Sequence, residues 1–244
     1  MTEVGRDRLR SLPDRVRARL DELERSLSRA LGSGLSGLVV HGSVARGAYR
    51  EGESDVDLIV ILTEATRERL DAIANPLAIA RNAARIEAMI LAKGEVARAA
   101  DVFPLLYDDI RRCHVTLTGE DPFEDLVVSD HNLRLRVEQE LREAQIRLRR
   151  AVVDSLGAPR ALEGAVSRKV KQIRGPLHAL VRLGGKEAGD DLPSVLKAAG
   201  ALLGVDTGPL TRLSEPGAEG HAALAALLDA AVDAADRLEP EAHR

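Results

Sequence analysis

Residues 56–62, VDLIVIL, are apolar at all but one position and are bounded by Thr63, a pattern that predicts a short strand entering a buried core. The start of this run carries Asp57, and Asp55 stands two residues earlier, although aspartate is a poor strand former. Residues two apart in a strand point to the same face, so the two carboxylates project together while Val56 and Leu58 face the other way. Like charges held that close repel. A divalent cation relieves the repulsion, and hard oxygen ligands suit Mg²⁺, which keeps waters and accepts phosphate oxygens as further ligands.

Upstream, residues 37–41 read as another short buried strand, and HGSVARG at 41–47 then turns into a helix start. Amide N–H groups at such a turn attract phosphate, and Gly42 lets the backbone of Gly42 and Ser43 approach a ligand closely. Arg46 adds a positive charge for the same phosphates. A nucleotide's phosphates lying between a glycine-serine turn and a carboxylate-held metal is an arrangement for phosphoryl or nucleotidyl transfer.

GSVARG followed by SDVDL resembles the polymerase-beta-like nucleotidyltransferase superfamily, whose hallmark is a Gly-Ser turn and then an Asp-x-Asp pair on the next strand. The resemblance is closest to the bacterial branch that holds aminoglycoside adenylyltransferases and minimal nucleotidyltransferase antitoxins. It implies Mg²⁺-dependent transfer of AMP from ATP to a hydroxyl of a small-molecule acceptor such as an aminoglycoside, with release of pyrophosphate. Asp55 and Asp57 would bind metal, while Gly42, Ser43 and Arg46 would bind the nucleoside triphosphate. Relatives carry a third carboxylate on a later strand, in a Pro-apolar-Glu-aromatic segment. Aligning Phe103-Pro104 with that pattern puts Leu106 at the acid position, and leucine can neither bind a metal nor take a proton. Asp108 shares the face of Leu106 on the expected strand and is the expected replacement, with Asp101, Asp109 and, more remotely, Glu87 as further candidates. Two alternatives follow: a protein- or tRNA-modifying enzyme of antitoxin type, and a catalytically silent nucleotide-binding module that lacks the third carboxylate.

The rest of the chain sets the frame. A helix is expected from the capping-box form at Ser11–Asp14, with Val16, Leu20, Leu23, Leu27 and Leu31 as its apolar stripe and Gly32 as its stop. Residues 63–96 read as two helices broken at Asn75-Pro76, residues 102–107 as a third strand and 114–118 as a fourth. From Ser129 the positions Val137, Leu141, Ala144, Leu148 and Val152 trace one helical stripe. Further helices are expected at about 159–183, 191–203 and 219–238, separated by turns such as Gly184-Gly185 and Glu215-Pro216-Gly217. The expected fold is α/β, a mixed sheet with flanking helices over residues 1–128, followed by an all-α helical bundle over 129–244 that selects the acceptor.

Among 244 residues no apolar run reaches a membrane span and the first twenty lack a secretory signal's apolar centre, so a cytoplasmic location without membrane contact is expected. Cys113 is the only cysteine, which excludes an internal disulfide and a cysteine metal cluster. A net charge of -4 and 2% aromatic residues argue against a nucleic-acid-binding platform, although residues 133–174 hold eleven Lys/Arg against five Asp/Glu. His41 and Tyr49 read as packing residues beside the turn, and Arg174 with His178 as a surface pair. The sequence leaves the oligomeric state unspecified.

Overall fold

The computed structural model describes residues 3–211 and 217–238. The chain divides into two compact units, Met1–Val102 with Leu106–Val127 and Phe103–Leu105 with Val128–Arg244. Glu215 and Pro216 of the expected turn lie outside the described residues.

The first unit is built on a four-stranded mixed sheet of β1 (Leu35–His41), β2 (Val56–Leu62), β3 (Ile86–Ala92) and β4 (Val115–Gly119), in the order β3-β2-β1-β4. β1 runs antiparallel to both β2 and β4, while β2 and β3 are parallel. Six of the seven residues of β2 are buried, as its apolar run requires of a central strand. One sheet face, with Leu38, Val40, Val56, Leu58, Val60 and Ile86, joins a core completed by α2 (Asp14–Leu31) and α4 (Arg67–Ala84). Val16, Leu20, Leu23 and Leu27 form the buried stripe of α2, as the sequence periodicity predicts. It is preceded by α1 (Glu3–Arg10), whose Arg8 guanidinium donates to the Ala45 carbonyl and meets Cys113 Sγ at 3.2 Å.

Three sequence expectations are corrected here. The helix from Arg67 does not break at Asn75-Pro76 but continues to Ala84, with Ile73 and Ala80 buried on either side of the proline. Proline removes a single helical donor, and packing of α4 on the α2 side of the core keeps the flanking turns together. Residues 86–92, expected within the second helix of 63–96, instead form β3: pairing along all seven residues of β2 outweighs the helix preference of Ala, Met, Leu and Glu. The reverse error concerns residues 102–107. Pro104 opens a helix, Pro104–Arg112, and its helical spacing buries Tyr107 and Ile110 on one side. With the intervening α3 (Gly42–Ala45) and α5 (Val96–Ala100), this helix is α6. Tyr107 packs against Phe123 with ring centroids 6.2 Å apart.

The second unit is helical among the described residues: α7 (Asp130–Asp154), α8 (Pro159–Gln172), α9 (Arg174–Leu183), α10 (Leu192–Leu203), α11 (Gly208–Thr211) and α12 (Gly217–Arg237). Ser129 caps α7, accepting from the Asn132 N–H, and the helix buries Leu133, Val137, Leu141, Ala144 and Leu148. Val152, the last residue of the expected stripe, is exposed. Arg174 and His178 do not form a surface pair: His178 is buried, and both side chains reach Asp190, the arginine through the Asp190 carbonyl.

Candidate active site

The site grows from the end of β1. His41 is the last extended residue; the chain then turns through Gly42 into the single turn of α3, closed by Arg46 N–H to Gly42 O and Ala48 N–H to Ser43 O. Gly42 has φ +68 and lies directly under the Asp57 carboxylate: a Cβ there would overlap Oδ2 and sit 2.9 Å from Cγ. Glycine is therefore required twice over, by backbone conformation and by the close approach. Ser43 Oγ reaches the Asp55 carbonyl at 3.4 Å, so the turn also touches the residues that lead into β2.

Strand register explains which side chains gather. His41 is the antiparallel partner of Asp57, and Asp57 is the parallel partner of Glu87. Paired residues share a sheet face, so His41, Asp57 and Glu87 form one row across β1, β2 and β3, on the face opposite Val56, Leu58 and Ile86. Asp55 stands just before β2 and adds its charge to the row. Burial raises the Asp57 carboxyl above its ordinary value; Asp55 pushes the same way, as do Glu87 and Asp109, while Arg46 opposes them. Burial, with help from Arg46 and His114 and against Asp109, pushes the His41 imidazole down to about 4, so the ring is neutral at physiological pH.

Two arginines from the end of α4 meet the acidic row. Arg85 Nε donates to Asp55 Oδ1 at 2.7 Å, and Arg81 Nε donates to Glu87 Oε1 at 2.8 Å. Both pairs are half exposed and add little to stability. Among the described residues no three His, Cys, Asp or Glu side chains are drawn into a ready-made metal cage. Mg²⁺ does not need one: it is usually bound through one or two carboxylates, with waters and substrate phosphates completing the octahedron. The half-buried Asp57, whose proton affinity is raised first by burial and then by Asp55, fits a cation that arrives with a triphosphate.

The remaining expected site residues lie elsewhere or do other work. Asp108 is on α6, not on a strand; it is almost fully buried and paired with Arg111 at 3.1 Å and Arg112 at 3.3 Å. The expected placement of Asp108 on a strand beside Leu106 is thus corrected: it is a buried helix residue held by two arginines. Leu106 is likewise a helix residue, so it does not mark a missing acid on a strand. Arg46 pairs with Asp109 at 2.7 Å, and Asp109 also meets Arg112. Asp101 ends α5 and is exposed. The acid the register does bring beside Asp57 is Glu87. Residues 86–92, IEAMILA, carry no polar alternation that would have marked a strand, so Glu87 could be named from the sequence only as a remote candidate.

Residues 20–146, just over half of the chain, match the family model described as nucleotidyltransferase domain. No curated protein matches the chain. Among solved structures, the chain is similar to the crystal structure of spectinomycin adenyltransferase AAD(9) from Enterococcus faecialis with ATP and spectinomycin. That similarity has a TM-score of 0.45 and 11% sequence identity, and covers 90% of this chain and 99% of that one.

Proposed function

Because the chain belongs to the nucleotidyltransferase domain family, of the polymerase-beta-like kind, we propose that it transfers AMP from ATP to a hydroxyl of a small-molecule acceptor and releases pyrophosphate. The observation that carries this reading is the Asp57 carboxylate seated on Gly42, with Glu87 beside it in strand register. Gly42 and Ser43 would receive the triphosphate, and Arg46, held by Asp109, would add positive charge near it. Asp55 and Asp57 would hold Mg²⁺, which supplies Lewis-acid stabilisation of charge on the phosphates. Glu87 would take the proton from the acceptor hydroxyl as its oxygen bonds to the α-phosphorus and the bond to the pyrophosphate oxygen breaks. Arg81, which donates to Glu87 Oε1, would orient that carboxylate.

With Glu87 proposed as the third acid, the position of Leu106 on a helix no longer argues for a silent module. A nucleic-acid acceptor is disfavoured by the pairing along α7: Arg134 and Arg142 bind Glu138, Arg136 binds Glu140, Arg147 binds Glu143 and Arg150 binds Asp154. These four carboxylates offset four of the eleven basic charges of residues 133–174 within one helix.

Incubation with α-labelled ATP and Mg²⁺ across a panel of aminoglycosides, transfer RNA and cell extract tests the proposal. Label is expected on a small hydroxylated acceptor, and label on RNA alone would overturn the acceptor class. Two variants separate the acids. Glu87→Gln is expected to lower kcat by about 10²–10⁴-fold, the usual range for losing a general base. Asp108→Asn is expected to cost about 1–3 kcal/mol of stability by weakening a buried charged anchor, and to leave transfer intact in the folded fraction. Full turnover by Glu87→Gln would remove that residue from the mechanism.

A further inference from the structure

The C-terminal residue of the α4 turn, Arg85, has a left-handed backbone, φ 53 and ψ 42, at a helix cap where glycine or asparagine is the usual solution. A side chain kept at a position that disfavours side chains is informative when its contacts are specific. Here they are. The one guanidinium donates to the Gly52 carbonyl at 3.0 Å through Nη1, to the Glu53 carbonyl at 3.4 Å through Nη2 and to Asp55 Oδ1 at 2.7 Å through Nε. The Arg85 carbonyl accepts from Val56 N–H at 3.0 Å, so backbone and side chain together brace residues 52–56.

Those residues have little else to hold them. Glu51, Gly52 and Glu53 are exposed, no ladder among the described residues pairs them with a strand, and the other hydrogen bonds of the segment are local ones to Arg50. Asp55 precedes β2 by one residue and lacks the ladder that fixes Asp57. Arg85 occupies only one oxygen of the Asp55 carboxylate; Oδ2 has no hydrogen-bond partner among the described residues. The ion pair is half exposed and contributes little to the fold, so stability does not explain the arginine.

We infer that Arg85 is a positioning residue: its forked guanidinium locks residues 52–55 and turns the Asp55 carboxylate so that Oδ2 stays open beside Asp57 for the divalent cation. This rests on the reading of Asp55 and Asp57 as the metal pair. Lysine, a single point charge, cannot reproduce three fixed donors.

The test uses the full chain with Mn²⁺ and a non-hydrolysable ATP analogue, read by calorimetry, beside thermal melting and amide exchange. Arg85→Gly relieves the left-handed backbone and removes the side chain. It is expected to melt at or above the wild-type temperature, to exchange the amides of residues 52–55 faster, and to bind Mn²⁺ with the analogue about 10–100-fold more weakly. Arg85→Lys is expected to weaken binding as well. Arg85→Gly that binds as tightly as wild type overturns the inference, and so does one that melts well below wild type, because the side chain then serves the fold. Failure of the wild type to bind, or equal binding by Asp57→Asn, would instead overturn the metal-pair reading itself.

Discussion

Asp57→Asn is expected to reduce nucleotidyl transfer by at least about a hundredfold, the scale on which removing one preorganised charge-stabilising group is felt, and at neutral pH to melt at a higher temperature than the wild type. The second effect follows from linkage. Burial first, then Asp55, raises the folded-state value of the Asp57 carboxyl above its unfolded value. A group raised in this way contributes stability that is fully present below the unfolded value and is lost as pH rises through the folded value. Once Asp57 ionises, in the protein without a cation, its buried charge beside Asp55 therefore opposes folding. Asparagine cannot ionise and avoids the loss. Melting curves recorded from acidic to neutral pH should show the variant and wild type converging in acid and separating as Asp57 ionises. A wild type that is the more stable of the two at neutral pH would contradict the electrostatic account of the site, whatever the activity shows. Site residues that destabilise their own fold are a common cost of function.

Gly42→Ala is the second large effect. An L-residue held at φ +68 costs about 1–2 kcal/mol from the backbone alone, and the added methyl must also displace the Asp57 carboxylate. Misplacing a reacting constellation by about 1 Å can cost roughly 10²-fold in rate, so transfer is expected to fall by that order in the protein that remains folded. Gly204→Ala supplies the control. Gly204 ends α10 with the same φ of +68, but a Cβ there meets nothing within 4 Å. Urea titration should show both variants destabilised, with Gly42→Ala the more so, and label transfer should separate them: the Gly204 variant is expected to keep its activity. Equal activity in the two would mean that the Gly42 turn does not abut the reacting groups.

How much of this site could be read in one dimension depended on how far apart its parts lie in the chain. Gly42, Ser43, Asp55 and Asp57 fall within sixteen consecutive positions, and their local patterns are unambiguous: a glycine turn between two apolar runs, then acids two apart at a strand start. Glu87 lies thirty residues beyond Asp57 and enters only through the parallel β2–β3 ladder. Its neighbours Ala88, Met89 and Leu91 suit a helix as well as a strand, so nothing local selects the strand. Asp108 was misplaced for the complementary reason. The aromatic and β-branched VFPLLY run suits a strand, yet Pro104 is compatible with a first helical turn and the Tyr107–Ile110 spacing buries well only as a helix. Arg46 was legible as a residue of the turn, but its partner Asp109 sits 63 positions away.

By itself the sequence determined the local chemistry: where the chain turns, which strand carries paired acids, and where the amphipathic helices α2 and α7 bury their stripes. These follow from short-range periodicity and from glycine's backbone freedom, which act within a few residues. Only the tertiary structure decided that Glu87 is the strand partner of Asp57, that Asp108 is buried against Arg111 and Arg112, and that Arg85 hydrogen-bonds Asp55. Each of those depends on which strand or loop lies alongside, and partner choice is set by burying a whole sheet face rather than by the preference of any one segment.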